Sequence, residues 1–201
     1  MIIETIDIYN LEIPFVRPVR HSLFSRTTTE SLVVVLRDRD GCCGYGEGTP
    51  RTYVTGEQLA GSLSAAATLS EDLLGAPCKT LGELTERLDG IGTPDVIAAH
   101  PAAFCALETA ALDLWSRRQN QPIHRLFNPG FDTRDLIYSG VIPAVEQEGS
   151  FLKYVSLVQQ LGLQSIKLKV SVEKQLLNFH CLNPHHEPGL IPAIPRVRSS
   201  R

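Results

Sequence analysis

Apolar and polar residues alternate at the start of the chain. Ile6 and Ile8 stand between Thr5, Asp7 and Tyr9, the period-two pattern of a half-buried strand. Pro14 and Pro18 interrupt it and predict a polar loop over residues 17–26, which holds His21, Ser22 and Arg26. The β-branched run SLVVVL at 31–36 predicts a second strand. Asp38-Arg39-Asp40-Gly41 is a tight-turn sequence, and residues 42–47 resume as a third strand. Three strands joined this way make an antiparallel meander.

The pattern then lengthens to helical spacing. Thr55 with Gln58 reads as a capping box opening a helix that runs to Leu74, with Gly75 just past its end. Thr80 with Glu83 repeats the device for a short helix stopping at Gly90. Pro101 suits the first turn of a third helix. Phe104, Leu107, Ala111, Leu114 and Trp115 share one of its faces, and Arg117-Arg118 oppose the dipole in its last turn. After Pro129-Gly130 the grammar changes. Residues 136–142 (LIYSGVI) predict a buried strand, 151–161 a helix ended by Gly162, and 165–170 (SIKLKV) a second strand. Strand, helix and strand with short links form a βαβ unit, so this strand pair is expected to be parallel. Residues 180–201 hold four of the 13 prolines and three of the six histidines, which predicts a disordered tail.

Composition narrows the function classes. The chain has 201 residues, 43% of them hydrophobic and 20% charged, enough for one substantial domain or one and a half. A net charge of −3 argues against a nucleic-acid binder. No apolar run approaches ~18 residues, so no membrane-spanning helix is expected. MIIETIDIYN has neither a basic start nor a long apolar stretch, and no signal peptide is evident. Five cysteines, an odd number without framework spacing, read as reduced thiols of a cytoplasmic protein.

Lys167 and Lys169 are the sharpest chemical feature. In a strand they point to the same face, roughly 6.6 Å apart. Two ammonium groups so placed raise each other's cost of protonation, and a lysine in that position can act as a base near neutral pH. The same spacing also fits a solvated edge face. The glycine-rich stretch 41–48 (GCCGYGEG) is not read as a dinucleotide loop, because no helix opens directly after it. Its glycines are expected to serve a turn and a bulged strand end. Cys181, His185 and His186 lack a scaffold and a second ligand pair, so they are not read as a metal site. Arg117-Arg118 read as helix-end charges, Glu108 and Asp113 as polar-face residues, and Cys105 as a small core residue.

Taken together, YNLEIPFVRPVRHS, ESLVVVLRDRDGCCGYGEGTPRTYVTGE, AAFCALETAALDLWSRR, YSGVIP and SIKLKV resemble the enolase superfamily, in its muconate-lactonizing-enzyme and mandelate-racemase branch. The resemblance covers roughly residues 1–174 in order. It implies an α+β N-terminal capping domain, a three-stranded antiparallel meander plus helices, followed by the first βαβ of a (β/α) barrel. The cap would span residues 1–130, the barrel start 131–176 and a non-family tail 177–201. Members abstract the proton α to a substrate carboxylate, and a divalent metal, usually Mg²⁺, stabilises the enediolate. By resemblance Lys169 is the acid/base, and Lys167 helps hold the carboxylate. The loops at 17–26 and 47–53 would close over the substrate, with Arg26, His21 and Tyr53 as substrate-binding residues. A small carboxylate or dipeptide is the implied substrate, handled by an epimerase, racemase or cycloisomerase.

The match stops near Lys174, where a barrel of ~250 residues would continue. The three acidic metal ligands and second catalytic lysine that the family carries on later strands are not present, and Glu173 and Glu187 lie in no strand that could replace them. The expectation is a truncated chain with no activity of its own. The alternatives are a fragment completed by another chain and a cap-only binding module. The open barrel edge predicts homo-oligomerisation or aggregation.

Overall fold

The computed structural model describes residues 1–20, 25–130, 137–143, 145 and 147–169. The chain divides into two compact units, Met1–Asp132 and Thr133–Arg201. His21, Cys181, His185, His186, Glu173, Glu187 and the tail at 180–201 lie outside the described residues.

The first unit opens on an antiparallel meander in the order β1-β2-β3, formed by β1 (Ile3–Arg20), β2 (Ser25–Asp38) and β3 (Cys43–Gly48). The meander is as expected, but two of its bounds are not. β1 runs through both prolines, so most of the expected loop at 17–26 is strand: Val19 pairs with Arg26 and Arg20 with Ser25. Proline is tolerated because β1 is the sheet edge, where a missing N–H breaks no interior ladder. The register shift between Pro14 and Val19 absorbs the remaining mismatch. Likewise Glu47 and Gly48 belong to β3, so the second expected loop begins later than Glu47.

Asp38 closes the turn between β2 and β3. Its Oδ1 accepts the N–H groups of Asp40 at 3.0 Å and Cys42 at 2.9 Å, and Gly41 takes φ +80°, where a Cβ would be strained. The buried Asp38 carboxylate is also paired with Arg118, which reaches Asp40 at 2.7 Å. Hydrogen bonds to Asp40 and then Asp38 raise the Arg118 guanidinium above its ordinary value. A raised cation stabilises below its unfolded value and loses that contribution only as pH climbs past the folded one. For arginine that window lies far on the alkaline side of neutrality.

Four helices and a 3₁₀ turn complete the described cap core: α1 (Leu59–Ser70) with the turn Glu71–Leu73, α2 (Leu81–Gly90), α3 (Pro94–Ala99) and α4 (Pro101–Arg118). A short α5 (His124–Phe127) follows. The capping box expected at Thr55 does not form. Gln58 caps α1 without a side-chain bond, because the Thr55 hydroxyl is taken by Glu57 Oε2 at 2.7 Å. At Thr80 the cap does form: Thr80 Oγ1 accepts Glu83 N–H at 3.1 Å, while Glu83 Oε2 reaches back one residue further than a capping box requires, to Lys79 N–H at 2.6 Å. α3, missed by periodicity, is a six-residue element opened by the Thr93 cap and Pro94.

The glycines of β3 have a different task from the one expected. The β2–β3 register runs without a bulge from Arg37–Cys43 to Leu32–Gly48. Gly44, Gly46 and Gly48 instead face α4. A Cβ on them would lie 2.3 Å from Ala110 O, 1.9 Å from Ala106 O and 2.0 Å from Ala102 O. Two strand residues rise about 6.6 Å and four helical residues about 6.0 Å, so a glycine every second position matches an alanine every fourth. This close approach seats α4 on the sheet, where Leu107, Ala111, Leu114 and Trp115 bury against Leu32, Val34 and Leu36. Cys105, expected in the core, is exposed at the margin of that contact, its Sγ 4.0 Å from Glu47 O of β3. Cys42, Cys43, Cys78 and Cys105 are all free thiols.

In the second unit, β4 (Ser139–Ile142), α6 (Glu148–Gln160) and β5 (Ser165–Leu168) form the expected parallel βαβ, with Val141 paired to Lys167 and Ile142 to Leu168. Gly162, with φ +63°, ends the helix as its sequence implies. Ile142, Phe151 and Val158 form its core, with Val145, Val155, Leu163 and Leu168 partly buried around them. Among the described residues, no helix is long and apolar enough to cross a membrane.

Candidate functional site

The residues singled out by sequence fall in both units. In the cap, β2 carries Arg26 near its start, opposite Val19. The guanidinium stands over the Phe15 ring, 5.7 Å from its centroid. It donates from Nη1 to the Tyr53 hydroxyl at 3.2 Å and from Nη2 to Thr28 O at 3.1 Å. Two of the three expected substrate-binding residues therefore stand together, although 27 positions separate them in sequence. The third, His21, lies outside the described residues. Phe15 was not anticipated, since a phenylalanine between two prolines gave no periodic signal.

Arg26 is half-buried and Tyr53 is 39% exposed, so both present polar atoms at an accessible edge of the cap. A flat guanidinium beside a phenol can meet a carboxylate or a peptide carbonyl through directed N–H donors.

In the second unit, β5 carries Lys167 and ends next to Lys169, whose backbone N–H donates to Ile142 O at 2.9 Å. Leu168 points to α6 and packs with the Phe151 core. Successive strand residues alternate sides, so Lys167 and Lys169 stand on the face turned away from α6. Lys167 is exposed and Lys169 is half-buried. Lys169 follows the last paired residue, at the carboxyl end of a parallel strand, where barrel enzymes collect their chemistry.

Asp113, Arg117 and Arg118 have structural partners. Asp113 Oδ2 accepts Tyr45 N–H at 2.9 Å and Arg117 Nε–H at 2.8 Å, while Arg117 lies 5.1 Å from the Tyr45 ring centroid. Arg117-Arg118 thus act as the helix-end charges their position implies. Among the described residues, no three His, Cys, Asp or Glu side chains group so as to hold a metal ion. The described residues do not by themselves fit a divalent cation. Two surface clefts, one lined by Asp72, Glu86 and Arg87 and one by Gly61, Thr68 and His100, include none of the candidate residues.

A three-stranded meander backed by α4, then a parallel βαβ bearing paired lysines, is the architecture of a capping domain followed by the opening of a barrel. The sequence matches the family described as "Mandelate racemase / muconate lactonizing enzyme, N-terminal domain" over residues 5–128. The chain belongs to this family, a branch of the enolase superfamily. It is 26% identical to the N-succinyl-L-Arg/Lys racemase of Bacillus cereus over 171 residues, 85% of this chain and 44% of that protein. It is 26% identical to the hydrophobic dipeptide epimerase of Enterococcus faecalis over 143 residues, 71% of this chain and 38% of that protein. Its fold resembles the crystal structure of a dipeptide epimerase from Methylococcus capsulatus complexed with Mg and the dipeptide L-Arg-D-Lys. That match has a TM-score of 0.73 at 27% identity, and covers 90% of this chain and 49% of the other. The chain spans less than half the length of these relatives.

Proposed function

We propose that residues 1–169 supply the substrate-reading cap and the first lysine strand of an isomerase that moves the proton α to a carboxylate. The observation that carries this reading is the placement of Lys167 and Lys169 on the face of β5 turned away from α6, in a chain of this family. Lys169, at the carboxyl end of β5, is the acid/base on one face of the α-carbon, and inversion needs a second acid on the opposite face, supplied by barrel strands beyond residue 169. Lys167, one strand period earlier, holds the carboxylate by charge. Arg26, His21 and Tyr53 select the remainder of the substrate. Relatives that epimerise dipeptides or racemise an N-succinyl amino acid support a dipeptide or N-acylamino acid as substrate.

A carboxylate already bearing one negative charge resists loss of an α-proton unless the second charge is stabilised. Mg²⁺ supplies that stabilisation in the family, but no suitable ligand group is found among the described residues, so no step is derived through it. The 201-residue chain is accordingly proposed to have no turnover alone and to need further barrel strands, whether from its own continuation or another chain. In deuterated water with Mg²⁺ and candidate dipeptides, it is expected to leave the α-proton unexchanged. Exchange by the lone chain would overturn that part. The residue roles are tested by joining residues 1–169 to the remaining barrel of the B. cereus racemase. Exchange should appear, and Lys169→Arg should lower it by roughly 10²–10⁴-fold. Equal activity in the Lys169→Arg chimera would remove Lys169 from the mechanism.

A further inference from the structure

The loop joining β3 to α1 carries Tyr53, and a charged side chain grips each end of it. At the start, Arg51 Nη1 donates to Glu30 O and to Pro50 O, both at 2.7 Å, and Nη2 donates to Thr29 Oγ1 at 2.8 Å. Thr29 and Glu30 lie on β2, the strand that also carries Arg26. The Arg51 carbonyl in turn accepts the N–H groups of Val54 at 3.0 Å and Thr55 at 2.9 Å. The turn around Tyr53 is thereby closed on itself.

At the other end, Glu57 is 4% exposed, an uncommon burial for a carboxylate. Its Oε1 accepts Ser62 Oγ at 3.1 Å and the Ala102 N–H at 2.9 Å, while Oε2 accepts Thr55 Oγ1 at 2.7 Å. Ala102 belongs to the first turn of α4, whose free N–H groups favour a negative charge. The Thr52 hydroxyl donates to Glu57 O at 3.2 Å. Both ends of an exposed, polar loop are therefore fixed to regular elements: β2 on one side, α1 and α4 on the other. Gly56, at φ +79°, makes the bend that allows this.

We infer that Arg51 and Glu57 are positioning residues which hold the Tyr53 loop so that the Tyr53 hydroxyl stands beside Arg26. Neither touches substrate. They act through the placement of the Arg26–Tyr53 pair, and their consequence for specificity rests on the proposed function. Loop placement is costly to lose, because a side chain displaced by about 1 Å no longer presents its donors to a bound group.

The test uses the 201-residue chain and no turnover, so it stands or fails separately from the isomerase reading. Amide exchange and the Arg26 Nε–H resonance are measured in Glu57→Gln and Arg51→Lys, with Tyr53→Phe as the reference for a lost pair. Glu57→Gln is isosteric and Arg51→Lys keeps the charge, so a fold-wide collapse in one leaves the other to decide. The expected result is exchange at 52–55 faster by about tenfold, with the interior of α4 unchanged. The Arg26 signal should move toward its position in Tyr53→Phe. An Arg26 signal unmoved in both loop variants would overturn the inference. So would acceleration spread evenly over the cap, the mark of a merely structural role.

Discussion

The two units differ most in what they bury. Among the described residues the cap core gathers twenty buried apolar side chains, drawn from the sheet, α1, α2, α4 and the segments between them. The βαβ unit gathers three: Ile142, Phe151 and Val158. Apolar residues are left exposed there as well: Val141 and Ile166 on the strands and Leu152, Leu157 and Leu161 on the helix are about half exposed. A unit of that size loses as much chain entropy per residue as the cap but removes far less apolar surface from water. The difference teaches where order originates. The cap carries its own driving force, whereas a parallel strand pair with one helix is a piece of a larger layered fold, in which both sheet faces are normally covered.

The strongest way to break this comparison is at the glycine stripe. Gly46→Ala places a methyl group 1.9 Å from Ala106 O, with backbone rather than a flexible side chain in its way. The expected cost is about 4 kcal/mol, read by urea unfolding followed through Trp115 fluorescence. A loss below about 1 kcal/mol would show that α4 moves off β3 freely and that the close seating is not what holds the cap. A second, smaller effect sharpens the contrast. Phe151→Ala removes the largest side chain of the second core, and should destabilise α6, β4 and β5 by about 3 kcal/mol. Amide exchange should rise there and not in α4; an equal rise in α4 would merge the two cores into one cooperative unit. The smallest expected effect is local. Thr80→Ala deletes the cap that accepts Glu83 N–H and should lower cap stability by about 1 kcal/mol by the same urea measurement. The same change at Thr55, which caps no helix end, should instead disturb Glu57.

Much of the cap was legible along the chain. Alternation at Ile6 and Ile8, the SLVVVL run and the Asp38–Gly41 turn predicted the meander, and the Phe104–Trp115 spacing predicted α4, because each is a local pattern with a local physical cause. The errors occurred where a distant partner overrode local preference. Pro14 and Pro18 suggested a break, yet β1 continues past both: it pairs with β2 up to Pro14 and again from Val19, with a register shift between. Thr55 and Gln58 had capping-box spacing, yet the buried Glu57 captured the threonine hydroxyl. Cys105 looked like core, but the helix presents Ala102, Ala106 and Ala110 to β3 and leaves Cys105 at the exposed margin of that contact.

The candidate site divides the same way. That Lys167 and Lys169 share a strand face follows from a period of two and needs no structure. That this face is the one turned away from α6 depends on Leu168 packing with Phe151, a contact made across the βαβ. Sequence alone singled out Arg26 and Tyr53 by family resemblance. Their hydrogen bond, the Phe15 ring beneath Arg26 and the grip of Arg51 and Glu57 on the loop are tertiary. Each joins residues that no local pattern connects, and each exists only because the sheet and α4 have first brought their backbones together. Periodicity and turn chemistry are written in neighbouring residues, so sequence determined the elements and their order. The close glycine–alanine seating and the paired loop residues were decided by which surfaces meet, and that is set by packing across the whole cap.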